Sequence, residues 1–331
     1  MKRATILLTT IFCACAMQQT TTPTTTTTTQ PAATMQASNP FFAPSPLQYQ
    51  APQFNLINDA QYQPAMEEGM KQQIAEIDAI ASSSAPPTFE NTIVPMERSG
   101  ALLTRVSKVF FNLSASNTNP AIQKVEEEEA PKLSAHQDAI FMNPKLFARV
   151  KSIYDSRESS GLDPESKFLA ERYYKNFIRA GAQLSEADKA KLRALNQEES
   201  TLTTQFRSHV LADTKASGVV VDNIADLAGL SDADIAAAAD RAKEQGLTGK
   251  WVIALQNTTQ QPVLTNLQNA ALRQRILAAS EARGQHGGPN DTRAIVTRLA
   301  QLRADKAQLL GYPTYAAYSL DDQMAKTPEN A

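Results

Sequence analysis

Apolar residues recur at helical spacing along most of the chain, and this pattern predicts a mainly α-helical body. Between residues 59 and 81 the apolar side chains return every three or four positions, as on one face of an amphipathic helix. These side chains are Met66, Met70, Ile74, Ile77 and Ile80. The same spacing predicts further helices over residues 90–115, 121–140, 144–158, 164–179, 262–283 and 291–310, and from residues 185 and 231 onward.

Two of these helices carry a start signal in the sequence. Ser185 with Asp188, and Ser231 with Asp234, place a hydroxyl three residues before a carboxylate, the spacing of a capping box. Gly246 follows the second segment in the position where a left-handed residue commonly closes a helix. We therefore expect well-defined ends for these two helices.

Two short stretches depart from the helical pattern. The runs SGVVVDNI and GKWVIAL are rich in β-branched residues and are bounded by glycines. We expect them to pair as a small β insertion near residues 218–255. The predicted fold class is therefore mostly α with one small sheet.

The N-terminus has the pattern of an export signal. A basic pair precedes a short apolar stretch over residues 6–14, which is too short to span a bilayer and is typical of a signal peptide over residues 1–16. Two processing schemes remain open. The A-C-A run ending at Ala16 fits ordinary signal cleavage, whereas the run F-C-A-C resembles a lipobox in which Cys15 is the lipidated residue. Both schemes predict export to the periplasm, and the second adds a membrane anchor.

Residues 17–38 form a Thr/Pro-rich tract without apolar periodicity, for which we expect a disordered tether. Both cysteines, Cys13 and Cys15, precede this tract. A disulfide and a thiol nucleophile are therefore excluded from residues 39–331. The whole chain has 42% hydrophobic residues, which is enough for residues 39–331 to build a core by packing alone.

Charge excludes some partners. The formal net charge is -2 and the isoelectric point is about 6.0, which gives no electrostatic basis for binding nucleic acid.

Candidate catalytic residues are few. The three histidines are His136, His209 and His286, and none has a second histidine three to five residues away. The sequence contains no H-E-x-x-H motif for zinc and no G-x-S-x-G motif for a serine nucleophile. His286 lies in the glycine-flanked run RGQHGGPND and is the most suggestive of the three, but the favoured interpretation is a mobile loop between two helices.

Three further features are interpreted as structural. The acidic run VEEEEAP over residues 125–131 is expected to lie on a solvated helix face. Tyr173, Tyr174 and Trp251 are expected to be packing residues. From the residues alone, the chain is an exported, tethered helical body with no recognisable active site.

Four long segments together resemble a known family. The segments start with the runs EEEEAPKLSAHQDAIFMNPKLFARV, GLDPESKFLAERYYKNFIRAGAQLSEADKAKL, GKWVIALQNTTQQPVLTNL and NDTRAIVTRLAQLRADKAQLLGYPTYAAYSLDDQMAKTPE. In this order they resemble the N-terminal half of the M3, thimet oligopeptidase-like, zinc metallopeptidases, and within them the bacterial peptidyl-dipeptidases (dipeptidyl carboxypeptidases). The resemblance runs from about residue 39 to the last residue.

The resemblance implies a channel-forming, two-lobed enzyme that hydrolyses oligopeptides and releases C-terminal dipeptides. The family's zinc is held by an H-E-x-x-H helix and a downstream glutamate, and no position here matches either, so neither a catalytic nor a metal residue is assigned. The run T-P-E at residues 327–329 has the features of a helix start, yet only two residues follow. We therefore expect an N-terminal fragment that is inactive without its C-terminal catalytic half.

A second hypothesis from another class stays open. The chain would then be a naturally short, tethered, non-catalytic helical module that binds peptides or scaffolds a partner. The reading frame after Ala331 distinguishes the two hypotheses.

Overall fold

Helices account for most of the chain that the computed structural model describes, residues 39–331, and the mostly α fold class is confirmed. The helices are α1 (Tyr62–Ala81), α2 (Val94–Arg98), α3 (Ala101–Ser116), α4 (Pro120–Phe141), α5 (Pro144–Ser156), α6 (Pro164–Arg179), α7 (Glu186–Ala216), α8 (Asp232–Glu244), α9 (Asn257–Asn266), α10 (Ala270–Glu281), α11 (Arg293–Leu309) and α12 (Tyr315–Leu320). The predicted signal peptide, tether and lipidation residue Cys15 lie outside the described residues.

Both predicted N-caps form, but the reciprocal half of each capping box does not. The Asp188 and Asp234 carboxylates accept from the serine hydroxyls, at 2.9 and 2.6 Å, and not from the backbone N–H of the N-cap residue. The Ser185 hydroxyl accepts a hydrogen bond from the Asp188 backbone N–H at 3.1 Å, and the Ser231 hydroxyl accepts one from the Asp234 N–H at 3.2 Å. Gly246 takes a left-handed conformation, with φ of 75°, directly after α8. Each side-chain oxygen satisfies a donor that the helix itself leaves unpaired.

Two predicted helices are interrupted. The segment 90–115 breaks between α2 and α3 at Gly100, whose φ of 72° lies in the left-handed region. The segment 262–283 breaks between α9 and α10, where the Asn269 side chain caps the second helix by accepting from the Leu272 N–H at 3.0 Å. The apolar spacing continues across both breaks. One continuous helix does not form, because Gly100 is left-handed at the first break and Asn269 caps a new helix at the second.

Two hydrophobic cores stabilise the helical body. One joins the C-terminal half of α1 to α5 and α6, with Phe177 fully buried, and the other joins the N-terminal half of α1 to α3, with Tyr62 and Phe110 fully buried. Gly69 lets α1 and α3 approach closely, because a Cβ there would lie 2.8 Å from the Leu103 Cα. Helices α4, α7 and α11 complete the body, with α7 packed against both of the others.

The predicted β insertion is confirmed as a two-stranded antiparallel sheet of β1 (Val219–Val221) and β2 (Trp251–Ile253). Residues 217–283, here called the sheet lobe, have a core of their own whose buried members all fall between Val219 and Ile276. The lobe leaves the body at the C-terminus of α7 and returns before α11.

No helix within residues 39–331 combines the length and apolar character needed to cross a bilayer.

Candidate functional site

A cleft of about 920 Å³ opens between helices of the body, and we call it the α7 cleft because that helix supplies the most side chains to it. The other walls come from α1, α3, α4 and α11, with Arg179 from the end of α6 and Tyr318 from α12. A second cavity of about 250 Å³ shares Phe111, Thr204 and Arg207 with it and extends it along α7.

The cleft combines apolar and neutral polar side chains. The apolar lining includes Leu103, Phe111, Leu133, Phe141 and Leu192. The neutral polar lining is Gln73, Thr104, Ser107, Ser134, Gln137, Asn196, Ser200, Thr203 and Thr204. Such a surface offers both hydrogen-bond donors and acceptors next to apolar contacts, as ligand sites commonly do.

The cations of one wall are held by a carboxylate. Glu199 on α7 accepts hydrogen bonds from Arg303 Nε at 3.0 Å and from Lys306 Nζ at 3.1 Å. Burial opposes ionisation of Glu199, but the charge of Lys306 and the hydrogen bonds from both cations outweigh it and lower the pKa of the carboxyl. With one carboxylate for two cations, this wall keeps a net positive charge.

Arg179 and Tyr318, which both line the cleft, join α6 to the segment around α12. Arg179 Nη1 donates to the Tyr318 carbonyl at 2.9 Å and to Asp321 Oδ2 at 3.1 Å. The guanidinium carbon also lies 4.6 Å from the centroid of the Tyr318 ring, within the range of a cation–π contact. These contacts fix the position of the chain after α11.

A buried carboxyl lies among the cleft residues. Asp138 of α4 is 7% exposed and accepts a hydrogen bond from Asn196 Nδ2 of α7 at 2.8 Å. Burial raises the pKa of Asp138, and the Asn196 hydrogen bond together with the charges of Lys306 and Arg193 only partly offsets that effect.

None of the three histidines lines the α7 cleft. His136 lies in the interior on α4, where its Nε2 is 2.7 Å from Gln73 Oε1, and burial lowers the pKa of its imidazole. His209 is half-buried on α7, and its Nδ1 has no hydrogen-bond partner within the described residues. Both positions fit packing roles.

His286 is paired with a carboxylate at the base of the sheet lobe. Its Nδ1 lies 3.0 Å from Asp213 Oδ1, and the same nitrogen is 3.5 Å from the Ser217 hydroxyl. A catalytic triad needs the serine and the acid on different ring nitrogens, so that a proton can pass through the imidazole. Because both partners share Nδ1, this Ser–His–Asp group is a loop anchor.

The acidic run of α4 does not lie wholly in solvent, which corrects the predicted solvated face. Glu129 is completely buried, and its Oε1 accepts from Lys132 Nζ at 2.8 Å. Ile122, Glu129 and His136 recur every seven residues and are all buried, so the heptad spacing places Glu129 on the inner face of α4. The heptad spacing could have predicted from the sequence that Glu129 is buried. The run of four glutamates favoured an exposed face instead.

The aromatic residues predicted to be structural do pack. The rings of Tyr154 and Tyr174 stack with centroids 4.0 Å apart, and Tyr173 donates to Glu97 Oε1 at 2.6 Å. Trp251 packs against the core of the sheet lobe.

Comparison with known proteins identifies the family. The model of peptidase family M3 matches residues 263–331. Dipeptidyl carboxypeptidase of Escherichia coli K12 is 48% identical over 297 residues, which cover 90% of this chain and 44% of that protein. The chain belongs to peptidase family M3. The expected resemblance is confirmed.

Other relatives of this M3 chain are aligned over a similar share of their length. Dipeptidyl carboxypeptidase of Salmonella typhimurium is 46% identical over 89% of the chain, and oligopeptidase A of E. coli is 25% identical over 88%. These alignments cover 43% of each relative. The M3 chain therefore spans less than half the length of these relatives.

The residues present do not fit a zinc site. Between residues 39 and 331 no group of three or more histidine, cysteine, aspartate or glutamate side chains is arranged to hold a metal ion. The M3 chain also has no H-E-x-x-H sequence. No metal ligand is therefore assigned to any residue of this chain.

Proposed function

We propose that residues 39–331 form a substrate-binding wall of an M3 peptidase that hydrolyses oligopeptides, and that the complete enzyme releases C-terminal dipeptides. The observation that carries this proposal is the 48% identity to dipeptidyl carboxypeptidase of E. coli over 90% of the chain. The α7 cleft supports it with a mixed surface that suits a peptide.

The cleft matches the chemistry of an extended peptide. A peptide presents N–H and C=O groups along its length, and the hydroxyl and amide side chains of the cleft can bond to both. The apolar side chains offer contacts for alternate substrate side chains. A folded domain would need a broader and flatter surface than this cleft provides.

The length of the cleft gives the size of the substrate. Lining residues of α7 extend from Leu192 to Leu211 across the two cavities, which share three lining residues. At a rise of about 1.5 Å per residue, this stripe is about 28 Å long. An extended strand advances about 3.3 Å per residue, so about eight substrate residues fit along α7.

The 331-residue chain is proposed to lack hydrolytic activity by itself. Its cleft holds no serine–histidine pair, no cysteine and no metal-binding group among the described residues. Zinc, which the M3 resemblance implies, would have to be held by residues outside this chain.

A chimera tests the proposed function. We would join this chain to the part of E. coli dipeptidyl carboxypeptidase that the alignment leaves uncovered, and measure dipeptide release from an acetylated octapeptide by mass spectrometry. The chimera should release C-terminal dipeptides and the chain alone should release none. A folded chimera without peptidase activity, or zinc-dependent cleavage by the chain alone, would contradict the proposal.

We propose in addition that the protein is exported to the periplasm and, if Cys15 is lipidated, held at a membrane. The support is the sequence of residues 1–38, with its basic start, short apolar stretch and F-C-A-C run. Fractionation of cells that express the chain and its Cys15→Ser variant tests this. Lipidation is supported if the wild type is found in the membrane fraction and the variant is not. Equal amounts of the two proteins in that fraction refute it.

A further inference from the structure

The floor of the α7 cleft contains more hydrogen-bond acceptors than donors. Asp138 and Asn196 meet there from the two helices α4 and α7, joined by the 2.8 Å hydrogen bond from Asn196 Nδ2 to Asp138 Oδ1. Within the described residues, the Asn196 Oδ1 atom is buried and has no hydrogen-bond partner. The second oxygen of Asp138 accepts no hydrogen bond from the protein and, unlike Asn196 Oδ1, is accessible from the cleft.

An arrangement of this kind is costly without a ligand. Buried polar atoms in proteins are nearly always hydrogen-bonded, and an acceptor left without a donor is unfavourable. Asp138 is 7% exposed, so bulk water reaches it poorly. Two neighbouring acceptors that line a cleft and lack internal donors indicate a donor that arrives from outside.

The charges nearby select the class of donor. Lys306 and Arg303 are engaged by Glu199, at 3.1 and 3.0 Å, and do not reach the Asp138 carboxyl as donors. Lys306 and Arg193 nevertheless act on Asp138 as positive charges. An incoming ammonium or guanidinium group would be repelled by them, whereas a neutral amide N–H would not.

We propose that Asp138 and Asn196 bind a backbone N–H group of the substrate and so fix an extended peptide against α7. This inference rests on the proposed function and specifies the group that the cleft recognises. The pair touches the substrate but takes no part in bond breaking. A side-chain carboxamide of the substrate has the same chemistry, and the choice of peptide separates the two sources.

The test is an NMR titration of the 331-residue chain with two acetylated octapeptides. One is an alternating alanine–glycine peptide, which has backbone N–H groups and no side-chain amide. The other is octasarcosine, whose N-methylated backbone has no peptide N–H. The wild-type chain should bind the first at least tenfold more tightly than the second.

Two variants locate the effect. Asp138→Asn keeps the shape of the side chain but replaces a free acceptor by an N–H donor, and it should weaken binding of the alanine–glycine peptide about tenfold. Asn196→Ala should weaken it in the same direction. Asp78→Asn, at an exposed carboxylate that lines a different cavity, is the matched control and should leave binding unchanged.

The outcomes separate this inference from the function on which it rests. If the wild-type chain binds neither peptide, the peptide-binding wall and this site are both overturned. If it binds the alanine–glycine peptide and Asp138→Asn binds it equally well, only the site is overturned. Equal binding of octasarcosine would likewise reject recognition of the N–H group. Thermal unfolding of each variant shows whether it is folded. A purely structural role for the pair would change the stability of the variants and leave the ratio of the two peptide affinities unchanged.

Discussion

The anchor between Asp213 and the returning chain should control the stability of the sheet lobe. Asp213 is 6% exposed at the C-terminus of α7, and its carboxylate accepts from the Gly284 backbone N–H at 2.8 Å and faces His286 Nδ1 at 3.0 Å. These contacts join the chain just before the lobe to the chain just after it. We predict that Asp213→Ala destabilises the lobe selectively.

The expected magnitude follows from the two contacts. The bond from Gly284 is buried and ends on a charged acceptor, so its loss with an unpaired N–H left behind costs about 2–3 kcal/mol. The His286 side chain is 41% exposed, and its pairing contributes about 0.5–1 kcal/mol at most. Asp213→Ala should therefore cost about 3 kcal/mol, and Asp213→Asn, which retains one acceptor, about 1 kcal/mol.

The effect should depend on pH in a definite direction. Burial tends to raise the pKa of Asp213, but the hydrogen bonds from Gly284 and His286 prevail and lower it. A carboxyl with a lowered pKa in the folded state stabilises the protein above the unfolded-state pKa of about 3.9. This contribution is lost as the pH falls through the lower folded-state pKa. At that pH the wild type should approach the stability of Asp213→Asn and stay above Asp213→Ala, because the protonated carboxyl still offers an acceptor to the Gly284 N–H.

Hydrogen exchange read by mass spectrometry is the appropriate assay, because it resolves the lobe from the body. Amides of residues 217–283 should lose protection in Asp213→Ala, while those of α1 and α3 keep theirs. Asp222→Ala, at an exposed carboxylate of the lobe that pairs with Lys250 at 2.7 Å, is the control and should change protection little. Unchanged protection of the lobe in Asp213→Ala would refute the reasoning.

Three further predictions concern the helical body, and each is checked by urea unfolding. Arg149 is 7% exposed and donates to the Ser83 and Ala85 carbonyls and to two side chains. Arg149→Lys cannot reach all four acceptors and should lower the free energy of unfolding by about 2–3 kcal/mol, so a loss below about 0.5 kcal/mol would contradict this. Gly69→Ala should cost about 1–3 kcal/mol because its Cβ would press on the backbone of α3, whereas a neutral result would show that α1 and α3 can separate freely. Phe177→Ala should cost about 3–5 kcal/mol through a core cavity, and a cost near 1 would mean that the core collapses around it.

The helices and their caps could be predicted because the signals are local. The capping serines at residues 185 and 231 and the two β-branched runs needed only their immediate neighbours. The break at Gly100 was missed because the apolar pattern continues across it, and a single glycine within a helical pattern does not reveal its φ. Periodicity therefore predicts that helical segments exist better than it predicts where they stop.

The site could not be predicted from the sequence in the same way. Asp138 and Asn196 are 58 residues apart, and only the packing of α4 on α7 brings them together. Glu129 looked solvated within a run of glutamates, although its position in the heptad pointed inward. His286 was singled out correctly as a loop residue, but its pairing with Asp213 across 73 residues is a property of the fold.

The coding DNA beyond the Ala331 codon provides the most direct test of the proposed peptidase wall. We predict that the reading frame stays open and encodes H-E-x-x-H followed by a glutamate-bearing helix, the zinc-binding elements that the M3 resemblance implies. A genuine stop codon directly after Ala331 would contradict the catalytic proposal and leave a tethered binding module as the function to test.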